Sequence, residues 1–364
     1  MLIADILSYL ETLAPPAYQE PYDNVGLLVG NKLWPCTGVT CTLDVTEEVV
    51  KEAIAKKTNL VVAHHPLIFK GLKSITGGTD AERAIITAIK HDIAIYAIHT
   101  NLDNVIQGVS GKMGRVLGLQ EVTVLAPRPA VLKKLYSFVP VSHADRVRDA
   151  IFLAGGGQIG RYSECSFNTE GTGSFKAGEG TDPFIGKIGV RELQPETRIE
   201  VIFPAWLEKQ VVRAMKLAHP YEEVAYDIVA LSNEYQEVGS GILGLMPKEM
   251  DEKEVLEKVK KVFGAGVIRY SPLLGRKVKK LALCGGSGSF LVGAAIAAGA
   301  DMFITGDIKY HDFFEAEARI VMVDIGHFES ERFTIDLLAE ILEEKFLNFA
   351  VLKTGVITNP VNYF

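Results

Sequence analysis

Residues 59–69 read NLVVAHHPLIF. Leu60, Val61, Val62 and Ala63 make an apolar run of strand length, rich in branched side chains, and the chain then sets two of its eight histidines side by side, before a proline. Working outward, EEVVKEAIAKK (47–57) and DAERAIITAIKH (80–91) carry apolar residues at helical spacing. Beyond them lie two further strand-like runs, GVTCTLDVT (38–46) and IAIYAIHTNLD (93–103). Strands of near-continuous Val, Ile and Ala, each followed by an amphipathic helix, predict a largely parallel sheet covered on both faces. An opening helix is expected over 2–13.

The same grammar returns near the C-terminus. KKLALCGGSGSF (279–290) leads into LVGAAIAAGA (291–300), then DMFITGD (301–307), a helix around HDFFEAEA (311–318), RIVMVDIGH (319–327) and one long helix through ERFTIDLLAEILEEKF (331–346). Between these halves the order changes to strand 131–140, helix 143–155, strand 161–170, a Gly/Thr-rich loop, strand 196–204, helix 205–219 and strand 223–231. That is β-α-β-β-α-β, the ferredoxin-like order, whose ends lie close together and suit insertion into a loop. The expected organisation is an α/β domain formed by 1–130 and 239–364, interrupted by an inserted α+β domain at 131–238.

Composition narrows the function classes. Thirty-eight basic residues against forty-five acidic ones give a net charge of −7, which argues against a broad nucleic-acid surface. Four cysteines, none in a CxxC pair, point to reduced thiols rather than a disulfide framework. The N-terminus MLIADILSYLETLAP lacks the basic start of a signal peptide, and no run is long enough to span a bilayer, so a soluble cytoplasmic protein is expected.

Chemistry gathers at strand ends. VVA ends in His64 and His65; IAIYAI ends in His99 with Asp103 four residues on; VMVDI is followed by His327, with Glu331 four residues further. Ligands of open α/β sheets bind at the carboxyl ends of strands, so these residues can converge. His327 and Glu331, at i and i+4, would share a helix face, while consecutive His64 and His65 point in different directions and suit two neighbouring ions rather than one. Imidazole and carboxylate without thiolate suit Zn, Fe, Mn or Co, and a carboxylate can bridge two such ions. Against this stand plainer roles: an HHP after a strand can cap backbone groups, and Asp103 can begin a turn. CGGSGSF lacks the lysine of a P-loop and reads as a tight turn that could still offer amides to a phosphate. Asp307, Lys309, Tyr310 and His311 in TGDIKYHDF suit support of ligands, contact with substrate, or a solvated helix start. His219 and Glu222 in AHPYEEVAYDI read as mainly structural, with a second ligand or assembly site as the alternative.

Together APPAYQEPYDNVGLLVG (14–30), VVAHHPLIFKGLKSI (61–75), AIYAIHTNLDN (94–104), CGGSGS (284–289), TGDIKYHD (305–312) and DIGHFESE (324–331) resemble the Nif-three-like family, also called GTP cyclohydrolase I type 2 homologues. The insert, with GRYSECSFNTEGTGSFK (160–176) and AHPYEEVAYDIV (218–229), looks like that of members carrying a CutA/PII-like domain. The resemblance implies two divalent metal ions per subunit, with His65 and Asp103 on one ion, His64 and His327 on the other, and Glu331 touching both. It implies a supporting or catalytic role for His99 beside Glu331, and a homohexameric toroid built as a dimer of trimers. The family name implies a hydrolase in which water opens the imidazole ring of GTP or a related nucleotide. The residues themselves equally permit a phosphoesterase, or a metal-binding regulatory or scaffold hexamer whose insert serves sensing or assembly.

Overall fold

The computed structural model describes residues 1–364. It divides into two compact units, Met1–Pro127 with Gln236–Phe364, and Arg128–Tyr235. No helix is long and apolar enough to cross a membrane.

The first unit contains two sheets. One has five strands in the order Gly26–Val29, Ala94–Ala97, Leu60–Ala63, Val39–Thr42, Val351–Lys353. All neighbours are parallel except the first pair. Every residue of the three central strands is buried, the pattern of a sheet covered on both sides. Alternate side chains divide between the two faces. Leu60 and Val62 pack with Ile6, Leu10, Leu338 and Leu342 of the opening and closing helices. Val61 and Ala63 pack with Val50, Ala53, Ile85 and Ala88 of helices Glu47–Ala55 and Asp80–Lys90. Both of these helices start at a threonine whose side chain accepts an N–H of the first turn, Thr46 from Val49 and Thr79 from Glu82.

The other sheet has six strands, Arg269–Tyr270, Val321–Asp324, Met302–Gly306, Lys277–Ser287, Gly239–Asp251, Gln120–Pro127. Its three middle strands Val321–Asp324, Met302–Gly306 and Lys277–Ser287 are parallel, as the Val/Ile-rich runs predict. The strands flanking them pair antiparallel. Gln120–Pro127 and Gly239–Asp251 carry no signal in the sequence reading, because their half-exposed faces interrupt the apolar runs. The long closing helix expected from 331 is two helices, His327–Glu331 and Thr334–Lys345, and the segment around 311–318 is a 3₁₀ helix, Tyr310–Ala316.

The second unit is a four-stranded antiparallel sheet in the order Phe167–Lys176, Arg191–Pro204, Leu132–Pro140, Tyr226–Ala230. Helices Ala144–Leu153 and Glu208–Ala218 pack Val147, Ile151, Val211 and Met215 against Leu135, Ile199 and Phe203. The strand order is the ferredoxin-like one. The Gly/Thr-rich stretch read as a loop is the second half of strand Phe167–Lys176. Its partner Arg191–Pro204 is long enough to hydrogen-bond the whole stretch, which overrides the low strand propensity of Gly171 and Gly173.

Candidate metal centre

The six residues picked out at strand ends meet in the first unit, but they come from two sheets rather than from one edge. His64 and His65 follow Leu60–Ala63, and His99 and Asp103 follow Ala94–Ala97 in the five-stranded sheet. His327 and Glu331 open and close the short helix after Val321–Asp324 in the six-stranded one. The i, i+4 spacing brings His327 Nε2 to 3.1 Å from Glu331 Oε2.

The donor atoms fall into three groups, one of His64, His65 and His99 and two triangles that share Glu331. In one triangle, Glu331 Oε2 lies 3.0 Å from His65 Nε2 and 3.1 Å from His327 Nε2, and the two nitrogens are 3.4 Å apart. Donors about 2.0–2.2 Å from a common ion, at angles between octahedral and tetrahedral, stand roughly 3.0–3.5 Å from one another. In the other triangle, His64 Nε2 lies 3.6 Å from Asp103 Oδ1 and 3.8 Å from Glu331 Oε1. His64 Nε2, Asp103 Oδ1 and Glu331 Oε2 are buried without a hydrogen-bond partner, although such atoms are costly to leave unmatched. These groups could hold a metal ion, and the donor set fits a divalent cation.

The grouping differs from the one that the family resemblance implies. His64 stands with Asp103, and His65 with His327. The cause lies in the neighbouring strands. His64 Nδ1 is bonded to the carbonyl of Ile98 at 2.9 Å, on the side of the strand that leads to Asp103. His65 Nδ1 is bonded to Asp44 Oδ1 at 2.7 Å, beyond the strand on the opposite side.

A common device orients the four histidines of the cluster. His327 Nδ1 contacts Asp307 Oδ2 at 2.7 Å, and His99 Nδ1 contacts Asp23 Oδ1 at 2.8 Å. With Nδ1 committed to an outer acceptor in all four rings, Nε2 is the nitrogen left for the interior. Electrostatics follow this wiring. Burial lowers the His64 imidazole. Burial also opposes charge on His65 and His327, but the carboxylates around them win, raising His65 to about 10 and His327 to about 9. Glu331, despite its burial, is held well below the usual carboxylate range by His327, His64 and His65. Burial and the facing Glu331 carboxylate push Asp103 well above it. Asp23, Asp44 and Asp307 are lowered against the effect of burial by their histidine partners.

His99 sits beside both triangles, its ring centre 5.2 Å from that of His64 and 5.3 Å from that of His65. Thr100 Oγ1 also donates to Asp23, locking that carboxylate. Asp307 serves His327 and accepts from Ser287 Oγ at 2.8 Å, whereas Lys309, Tyr310 and His311 are exposed and make no bond to the cluster. The CGGSGS turn is explained by the same centre. A Cβ on Gly286, whose φ is +61°, would stand 2.4 Å from Glu331 Oε1. The amides of Gly285, Gly286 and Gly288 are taken by Ser110, Ser330 and Thr305 side chains, which leaves none of the three for a phosphate. Asp23 and Asp44 escape the sequence reading. Asp44 follows a strand end as the histidines do, and that was its one available signal.

The chain is similar to known proteins over its whole length. A family model described as Duf34/NIF3 (NGG1p interacting factor 3) matches residues 1–360. A Bacillus subtilis protein named GTP cyclohydrolase 1 type 2 homolog is 41% identical over 365 residues, covering 98% of this chain and 97% of its own length. One of the same name from Halalkalibacterium halodurans is 40% identical over 363 residues, 98% of each. Among solved structures, a Bacillus cereus protein related to NIF3 aligns with a TM-score of 0.87 at 39% identity, covering 100% of this chain and 99% of that one. A Staphylococcus aureus protein aligns with a TM-score of 0.79 at 29% identity, with the same coverage.

Proposed function

The chain belongs to the Duf34/NIF3 family, and from that premise we propose that it is a metal-dependent hydrolase acting on GTP or a related nucleotide. One divalent ion would be held by His65, His327 and Glu331 and a second by His64, Asp103 and Glu331. The observation that carries this reading is the Glu331 carboxylate, which turns Oε2 to one pair of donors and Oε1 toward the other. Two divalent ions supply a water of lowered pKa and stabilise the negative charge that develops as a ring or ester bond breaks.

The protein's own groups do the rest. Asp44, Asp307 and the Ile98 carbonyl hold three imidazoles with Nε2 inward. Asp23, kept ionised, fixes His99 with its Nε2 free to take or give a proton beside the cluster. Phe69, whose ring centre is 6.3 Å from that of His99, and Tyr22, 6.3 Å from Phe69, are exposed rings on which a purine could stack. The relatives' name, GTP cyclohydrolase 1 type 2 homolog, is consistent with a nucleotide substrate. Assembly as a homohexamer is part of the proposal and is read by light scattering on the purified chain. The decisive experiment follows metal content and formate release from GTP in the wild type and in Glu331→Gln. Turnover that depends on added metal and disappears in the variant is expected; a metal-loaded protein that releases no formate would sink the cyclohydrolase reading.

A further inference from the structure

The motif AHPYEEVAYDI (218–228) lies outside the metal centre, yet it builds one wall of a cavity of about 680 Å³ in the inserted unit. The volume falls within the roughly 300–1,000 Å³ of small-molecule sites. His219 is buried and set by two bonds: Nε2 donates to the carbonyl of Phe138 at 3.0 Å, and Nδ1 accepts the N–H of Tyr221 at 3.1 Å. This neutral ring fixes Tyr221, whose hydroxyl donates to Glu196 Oε1 at 2.9 Å. Glu222 accepts the N–H of Asp182 at 3.2 Å and so ties the loop after strand Phe167–Lys176 to the same motif. The rings of Phe175 and Phe184 stand 5.9 Å and 6.3 Å from that of Tyr221.

Glu196 lines the cavity and is 8% exposed. Its second oxygen, Oε2, has no donor within the protein; it lies over Gly173, where a Cβ would stand 2.1 Å away. This oxygen is left open in the cavity, where a cation or a strong donor can meet it. The lining carries four carboxylates, Glu170, Glu196, Glu222 and Glu223, against Lys176 and Arg198; Arg198 is bonded through Nη2 to Glu200 at 2.7 Å, while its buried Nε has no partner. The surplus of carboxylates favours a cationic ligand over an anionic one. Aromatic faces beside the carboxylate attract a cation and the apolar body attached to it.

We infer that this cavity is a binding site for a small organic ammonium ion with an aromatic or apolar body, the ammonium on Glu196 Oε2 and the body against Phe175, Phe184 and Tyr221. The inference is independent of the hydrolase reading, since none of these residues belongs to the metal centre.

The test uses the full chain and three probes of one size, 2-phenylethylammonium, neutral 2-phenylethanol and anionic phenylacetate, titrated by calorimetry or ligand-observed NMR. The ammonium is expected to bind saturably, on the order of millimolar for so small a probe, with the alcohol at least tenfold weaker and the anion weaker still. Glu196→Gln, which keeps an oxygen for Tyr221, should erase the preference for ammonium over alcohol. Phe184→Ala, at an exposed loop position, should weaken both while keeping their order. No binding of the ammonium, equal binding of all three probes, a preference that survives Glu196→Gln, or affinities unmoved by Phe184→Ala would each overturn the assignment.

Discussion

His65 Nε2 and His327 Nε2 lie 3.4 Å apart although the two residues leave different sheets. Each ring is pinned from behind, by Asp44 and Asp307 respectively, at 2.7 Å. Replacing Asp44 or Asp307 by Asn keeps the shape and removes the charge that favours Nε2 as the metal donor. Metal affinity is expected to fall by about 10- to 100-fold in either variant with the fold unchanged. Competition with a chelator measures it; unaltered affinity in both would show that the outer carboxylates do not orient the rings.

The grouping of donors makes a sharper claim about stoichiometry. With His64 and Asp103 in one triangle and His65 and His327 in the other, the double variant His64→Ala with Asp103→Asn should retain one ion of two. The grouping implied by family resemblance spreads this pair over both ions and would leave neither site intact. Elemental analysis of the purified variants decides between them. Glu331→Gln, altering the shared carboxylate, should lower the occupancy of both sites.

Much of this architecture was legible because burial writes itself into composition. The all-buried strands Leu60–Ala63 and Ala94–Ala97 read as near-continuous apolar runs, whereas the equally buried Val39–Thr42 carries Thr40 and Thr42, with the Thr40 hydroxyl bonded to that of Thr58; a polar residue just after an apolar run emerges at the sheet edge. What tertiary contact alone decides was not legible. Asp23 and His99 are 76 positions apart and meet only once the chain folds. The division of the strands between two sheets, and with it the partner of each histidine, depends on half-exposed strands such as Gln120–Pro127. The short helix His327–Glu331 reads as part of its longer successor because nothing in its periodicity marks the break.

Gly286→Ala tests how tightly the turn is shaped around the centre. The new Cβ would stand 2.4 Å from Glu331 Oε1 in a backbone with φ of +61°. Left-handed backbone strain contributes about 1–2 kcal/mol of destabilisation, and the carboxylate must also move. A lowered melting temperature together with loss of the ion beside His64 is expected. Normal metal content in the variant would mean that Glu331 can retreat without consequence.

His99 and its partner Asp23 should act on rate rather than on metal. His99→Gln and Asp23→Asn are expected to lower kcat by about 10²–10⁴ with metal content unchanged, whereas Phe69→Ala should raise KM for a purine nucleotide. Loss of metal in His99→Gln would instead make His99 a ligand, a role its place beside His64 and His65 also permits.

The inserted unit offers a last test, because the register of the surrounding sheet dictates how it can be removed. Pro127 pairs with Gly239 and Ala126 with Ser240, in antiparallel strands. The chain therefore leaves and re-enters the six-stranded sheet at facing positions, where a turn of two to five residues is the usual closure. The insert carries its own core of Leu135, Ile151, Ile199, Phe203 and Met215. Replacing 128–235 by a short Asn-Gly turn should give a folded protein with undiminished metal content, read by circular dichroism and elemental analysis. Metal loss in a variant that still folds would show that the centre depends on the insert, and the two units could not then be treated as separate devices.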